Sequence, residues 1–302
     1  MKVLFAVDGS REAIGALGNG CRFLQTKRME ADVVCVAPEY LAAMTGWEEG
    51  KLRERYRQRI AGETHRILNE ARDVLRSFGT EAKAIAATGS VGGKIAEMAA
   101  DYDIVVLGAK GKADVRNRGL GPVAQHVAQH AGCSVLVGRP AEGGNGFRVL
   151  VALDGSEASL ESVRTVASLV NWENAGVTLL HVLETPWLHL GLEQDWFGYE
   201  EPEEPDAAAA WQRRLRAEAE RLLERAGRQL GEQRPAVERK LAEGLPANEI
   251  LGEAEQGGYD LVVVGATGAS DLKHQLLGSV SSKLAWHAPC SVLIVRNKET
   301  LR

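Results

Sequence analysis

Short, strongly apolar runs punctuate this chain, and between them apolar residues return every third or fourth position among charged ones. Runs of the first kind, bounded by Gly, Asp or Ser, predict buried strands; the longer periodic stretches predict amphipathic helices. In the first half this pattern places strands near residues 3–7, 32–36, 82–87, 104–108 and 134–137, with helices near 11–25, 50–77, 91–100 and 122–130. In the second half it places strands near 148–153, 177–183, 236–242, 260–264 and 291–295, with a long amphipathic helix near 206–230. Strands alternating with helices predict an α/β protein whose parallel strands are joined by right-handed crossovers.

The two halves can be laid on each other. Val3-Leu4-Phe5-Ala6-Val7-Asp8-Gly9-Ser10 returns as Val149-Leu150-Val151-Ala152-Leu153-Asp154-Gly155-Ser156. Asp103 to Gly111 returns as Asp260 to Gly268, and His130 to Val137 returns as His287 to Ile294. The shift is 146 residues at the first pair and 157 at the other two, so the second half holds eleven extra residues in between. A duplication with an insertion accounts for this and predicts two tandem domains, residues 1–140 and 147–302, with a glycine-rich linker at 141–146. The insertion falls in 185–205, where Trp187, Trp196, Phe197 and Tyr199 stand among acidic residues and prolines. It reads as an irregular loop over the domain surface, as a lid over a ligand, or as a contact surface for a partner.

Chemistry concentrates at Gly265-Ala266-Thr267-Gly268, which follows the apolar run Leu261 to Val264 and is answered by Gly278-Ser279. The spacing G-x2-G-x9-G-S joins the carboxyl end of a strand to the amino end of a helix running from Ser279 to Trp286. Unpaired N–H groups and the positive end of the helix dipole point at such a junction, and glycines let the chain approach phosphate oxygens closely. Ser279 and Ser281 are candidate hydroxyl donors. Taken alone, Gly265 and Gly268 also suit any strand-to-helix turn.

From Gly265 to Arg296, closing with His287-Ala288-Pro289-Cys290-Ser291-Val292-Leu293-Ile294-Val295, the stretch resembles the ATP-binding end of a universal stress protein domain. The resemblance implies two tandem doubly wound five-stranded parallel sheets of order 3-2-1-4-5, adenine-nucleotide alpha-hydrolase-like, related by a pseudo-twofold axis. Strands 1 and 4 then lie side by side, so Asp154 and Gly265 face one crevice at the topological switch point, where open α/β sheets bind ligands. An ATP site is thereby implied at Ala152, Leu153, Asp154, Val182, Gly265, Gly268, Gly278, Ser279, Val280 and Ser281, with Val182 lining the adenine pocket chiefly through backbone groups. Asp154 reads either as a turn and helix-cap residue or as a carboxylate beside the nucleotide, with Mg²⁺ held between it and the phosphates as a further alternative. The family also pairs its domains through strand 5; here the pairing would fall within one chain, near Val135 and Val292, and a further homodimer stays open.

The first half departs from this pattern. Asp8, Gly108, Gly111 and Gly121 stand at the right spacing for a second, weaker site, but Pro122 replaces the serine. Proline suits the first turn of a helix yet offers a phosphate neither N–H nor hydroxyl. Lys110, Lys112, Arg116 and Arg118 in the same loop are either a solvated face or charge that compensates for the missing donors.

Composition narrows the alternatives. A chain of 302 residues with 45% apolar and 25% charged content holds two ordinary domains, and a net charge of −5 gives no basic face for nucleic acid. No stretch has the length and apolarity of a membrane span, and the amino terminus reads as a first strand. Cys21, Cys35, Cys133 and Cys290 form no C-x-x-C pair, which points to a reducing, cytoplasmic setting. Cys133 and Cys290 precede strand 5 in the two halves and read as small buried residues. His126 and His130 have a metal-compatible i, i+4 spacing without a third ligand, and His181 has no nucleophile placed with it. Walker, dinucleotide and nucleophile-elbow motifs are absent, as are the H-x-G-H and S-G-G-x-D-S elements of AMP-transferring relatives. The expectation is an ATP-binding regulator of a stress response, acting on a protein partner, with no dedicated catalytic residue. The alternatives are a slow hydrolase or phosphotransferase using Asp154 or His274, and a pseudo-dimer that binds no nucleotide.

Overall fold

The computed structural model describes residues 1–39, 50–112, 119–140, 146–173, 175–184, 205–231, 237–268 and 277–296. The first half runs β1 (Lys2–Ala6), α1 (Arg11–Phe23), β2 (Glu30–Pro38), α2 (Gly50–Ser77), β3 (Ala82–Gly89), α3 (Val91–Ala99), β4 (Ile104–Gly108), α4 (Pro122–His130) and β5 (Ser134–Gly138). The second runs β6 (Phe147–Leu153), α5 (Glu157–Leu169), β7 (Ala175–Leu183), α6 (Pro205–Leu230), β8 (Val237–Glu243), α7 (Pro246–Gly257), β9 (Leu261–Gly265), α8 (Ser279–His287) and β10 (Ser291–Val295). The hydrophobic pattern thus located the strands to within a few residues. One helix ends early: α1 stops at Phe23, because Leu24 turns extended (φ −98°, ψ 157°) and bridges Val170 of the other half.

All ten strands join one sheet in the order β3-β2-β1-β4-β5-β10-β9-β6-β7-β8. Each half contributes the order 3-2-1-4-5, and every pairing within a half is parallel. The halves meet at β5 and β10, which pair antiparallel with Val135 opposite Ile294, Leu136 opposite Leu293 and Val137 opposite Val292. Two strand edges that would otherwise template foreign pairing are thereby consumed. Alternation along each strand feeds two apolar layers. Val3, Phe5, Val149 and Val151 face the layer under α1, α2, α5 and α6, whereas Leu4, Ala6, Leu150 and Ala152 face the layer under the remaining helices.

Side chains at the junction obey the same twofold relation. Arg139, just after β5, donates to the carbonyls of Ala285 (2.5 Å) and Trp286 (3.4 Å) at the end of α8, and to Cys290 O (3.4 Å). Arg296, just after β10, donates to Ala128 O (2.8 Å) and Gln129 O (3.3 Å) at the end of α4. Ser291 Oγ accepts from Arg139 N–H at 3.1 Å, and Ser134 Oγ accepts from Arg296 N–H at 3.2 Å. Burial lowers the pKa of both guanidiniums. Their placement against the last carbonyls of a helix, the negative end of its dipole, offsets that desolvation.

Candidate functional site

Asp-Gly-Ser follows the first strand of each half, and its local chemistry is the same twice. Gly9 (φ 75°) and Gly155 (φ 86°) take the left-handed turn that a side chain disfavours. Asp8 Oδ1 accepts from Ser10 N–H at 2.8 Å, and Ser10 Oγ in turn accepts from Ala13 N–H at 3.1 Å, capping α1. In the second half Asp154 Oδ1 accepts from the N–H (2.9 Å) and the hydroxyl (2.7 Å) of Ser156, which caps α5 through Ser159 N–H at 3.0 Å. The serine is therefore the cap, and the aspartate is the turn residue with its other oxygen turned elsewhere.

That second oxygen reaches the glycine loop of the neighbouring strand. A β-carbon placed on Gly268 would stand 3.1 Å from Asp154 Oδ2, and one placed on Gly111 would stand 2.6 Å from Asp8 Oδ2. In the first half the contact is completed by Lys112 N–H, which donates to Asp8 Oδ2 at 2.9 Å. Asp154 and Gly268, 114 positions apart in the chain, thus come together because β6 and β9 are neighbours.

The helix that completes the cradle is pinned at its start. Gly278 N–H donates to Ala266 O at 2.8 Å, as Gly121 N–H does to Ala109 O at 2.8 Å. The first bond inside α8 is Ser282 N–H to Gly278 O, which leaves the N–H groups of Ser279, Val280 and Ser281 without an intrahelical acceptor. Ser281 is buried and its hydroxyl donates to Gly265 O at 2.5 Å. This corrects the expectation that Ser281 presents a hydroxyl to a ligand: that proton ties α8 to the end of β9. Ser279 is exposed. Ala152 and Leu153 complete β6, Leu153 O accepts from His181 Nδ1 at 2.8 Å, and Val182 follows on the adjoining β7. The predicted residues therefore stand at the carboxyl ends of β6, β7 and β9 and at the amino end of α8.

In the first half the same place is a cavity of about 1150 Å³. Asp8, Gly108, Gly111, Gly121 and Pro122 line it. Pro122 occupies the first turn of α4, so the helix offers only the N–H groups of Val123 and Ala124 before its own ladder begins at Gln125. Lys110 and Lys112 also line the cavity, with Lys112 Nζ 3.5 Å from Glu63 Oε1. The hydrogen bond from Arg66 holds the Glu63 carboxyl down to about 2, so it stays charged opposite Lys112. Cys35 lines the cavity too, and burial pushes its thiol up to about 11, which makes it unreactive at neutral pH. Support for the loop comes from the other half: a β-carbon on Gly119 would stand 2.7 Å from the Trp286 ring.

Sequence reasoning missed the cavity wall given by α2, namely Tyr56, Ile60, Glu63 and Ile67, and the rim at Gly89 and Ser90. The available signal was the helical spacing of those α2 residues. Arg116, Arg118, His274 and the aromatic residues Trp187, Trp196, Phe197 and Tyr199 lie outside the described residues. His126 and His130 stack at 4.2 Å on the surface of α4, and among the described residues no group of three metal-binding side chains exists.

One glycine owes its identity to packing as well as to the site. A β-carbon on Gly108 would stand 2.9 Å from the backbone carbon of Glu12, whereas at Gly265 the nearest atom is 3.4 Å away. Backbone cannot yield as a side-chain tip can, so Gly108→Ala should cost about 2 to 3 kcal/mol of stability and Gly265→Ala under about 1. Urea unfolding of the two variants measures this; equal midpoints would refute it.

A doubly wound α/β protein in which the aspartate after the first strand meets a glycine loop after the fourth, once in each half, is the class that fold and site define. The chain belongs to the universal stress protein family: that family's sequence pattern matches residues 1–139 and 147–296. A universal stress protein of Mycobacterium tuberculosis is 26% identical over 313 residues, covering 97% of this chain and 94% of that protein. One from Bacillus subtilis is 34% identical over 155 residues, covering 49% of this chain and 98% of its own length. Among solved structures, a universal stress protein from Archaeoglobus fulgidus superposes with a TM-score of 0.62 at 16% identity, covering 98% of this chain and 96% of that one. No helix among the described residues is long and apolar enough to cross a membrane.

Proposed function

We propose that this chain binds ATP in the second-half crevice between the ends of β6 and β9 and acts as a nucleotide-dependent regulator in a stress response. The observation that carries this reading is the meeting of Asp154 with Gly268, on the loop whose Ala266 carbonyl holds Gly278 at the start of α8. Gly265, Gly268 and Gly278 let the backbone approach phosphates, the N–H groups of Ser279, Val280 and Ser281 with the Ser279 hydroxyl supply donors, and Ala152, Leu153 and Val182 face the nucleoside. ATP brings Mg²⁺ on its own phosphates. Asp8, Gly108, Gly111 and Gly121 form a second, weaker site, because Pro122 removes two donors that Ser279 supplies in its counterpart.

Regulation follows from linkage: ATP favours the loop arrangement it binds best, and a partner reads the surface so selected. The Asp154 carboxylate is already engaged by Ser156, which suits a binding and positioning role. Four buried cysteines held as thiols support a cytoplasmic setting. Calorimetric titration of the full chain with ATP, ADP and AMP, with and without Mg²⁺, is the direct test. ATP should bind, and more tightly than AMP; absence of binding by every adenine nucleotide would overturn the proposal.

A further inference from the structure

Exposed apolar side chains that gather at a cavity mark a candidate binding surface. Among the described residues the large exposed apolar side chains are Tyr56, Phe78, Val123, Trp211, Leu245 and Trp286. Tyr56 and Val123 line the first-half cavity, and Trp286 lies against Gly119 in the loop beside it. Trp211 and Leu245 belong to the second repeat, where their positions answer to Tyr56 and to Ser90 on the cavity rim.

The correspondence of Tyr56 with Trp211 is written along a whole helix face. In α2 the residues are Tyr56, Arg59, Ile60, Glu63, Thr64 and Ile67; in α6 they are Trp211, Arg214, Leu215, Glu218, Ala219 and Leu222. The register is anchored in space, because Ile67 and Leu222 each stand over the Asp-Gly turn of their own half. A β-carbon on Gly9 would lie 2.8 Å from Ile67 Cγ1, and one on Gly155 would lie 3.8 Å from Leu222 Cδ2. Eleven residues earlier in each helix, about 16 Å along the axis, comes the aromatic residue, and in the first half it lines the cavity. Both rings are 47% exposed.

The rings stand on a particular side. Helix α2 packs against β2 and β3, and α6 packs against β7 and β8. Phosphate-binding geometry belongs to the opposite side, at the ends of β4 and β9 and the starts of α4 and α8. An aromatic placed across the cleft from a phosphate cradle is suited to the other end of a nucleotide, its planar base.

We propose that Tyr56 and Trp211 are the faces on which the base of a bound nucleotide stacks, one in each cleft. The proposal rests on the nucleotide reading above and adds the residues that recognise the base. Stacking explains why an aromatic residue is kept at this position in both repeats although it leaves apolar surface in water. It acts through a π-face common to all bases, so it supplies affinity while the strand-end backbone supplies discrimination.

The test compares ATP binding by the full chain with that of Tyr56→Ala/Trp211→Ala and of Tyr56→Phe/Trp211→Phe, using calorimetry and thermal melting. Half-exposed rings contribute little to the core, so all three proteins should melt alike. The alanine pair should bind ATP about tenfold more weakly, and the phenylalanine pair within about twofold of the unsubstituted chain. ATP binding by the alanine pair equal to that of the unsubstituted chain would overturn the stacking role, as would a phenylalanine pair as weak as the alanine pair. An unsubstituted chain that binds no ATP would instead overturn the nucleotide reading, and the stacking role with it.

Discussion

Gly278→Val should weaken ATP binding by about a hundredfold, roughly 3 kcal/mol, while Gly121→Val changes it little. Gly278 caps α8 with φ −63° and ψ 160°, a conformation open to any residue, so the backbone does not require glycine there. The substitution therefore tests the space in front of the helix more than the fold behind it. A β-branched side chain at the cap would crowd the approach to the N–H groups of Ser279 and Val280 and displace the phosphates from them. Gly121 has the same geometry, φ −69° and ψ 159°, but stands before Pro122, where fewer donors are at stake. Calorimetry on the two variants decides the matter. The reverse result, loss at Gly121 and retention at Gly278, would assign the competent cleft to the first half.

The largest effect on stability is expected at the junction between the halves. Arg139→Ala removes the donor to Ala285, Trp286 and Cys290 carbonyls, and Arg296→Ala does the same for Ala128 and Gln129. Each substitution strands carbonyls at a buried helix end, at about 2 to 3 kcal/mol apiece. The two sites share no partner, so the double variant should lose about the sum. Lysine at either position should rescue only part, since an ammonium lacks the planar fork that reaches several carbonyls together. Chemical unfolding of the single and double variants measures these losses. A double variant that unfolds at the same denaturant concentration as the unsubstituted chain would show that the arginines are dispensable, leaving the β5–β10 strand pairing to hold the halves together.

The junction also bears on the clefts. Each nine-residue helix, α4 or α8, starts against the glycine loop of its own half and ends on an arginine of the other. Trp286, on α8, lies in addition against the glycine loop of the first cleft. The duplication has thus produced an arrangement in which neither half completes its own surroundings.

Much of this was open to inspection in the chain itself. Periodicity located the strands, because a buried parallel strand must be a short unbroken apolar run and an amphipathic helix must repeat near every third or fourth residue. The repeated Asp-Gly-Ser and the glycine spacing marked the two turns that meet in each half, since left-handed turns and close backbone approach demand particular residues. Other features lay beyond that reach. That Ser281 spends its hydroxyl on Gly265, that Gly108 is pressed by the backbone of α1, and that Cys35 and Tyr56 share a wall with Asp8 all depend on which elements lie side by side.

The amino-acid order by itself settled what is local: strand, helix, turn and cap, and the fact that one design is used twice. Tertiary structure alone decided which oxygen of Asp154 faces which glycine, which hydroxyl is spent inside the fold, and that each half caps a helix of the other. The physical reason is range: periodicity and turn chemistry act within a few residues, whereas these contacts join different elements, from 16 to 168 positions apart, that meet only when the sheet assembles.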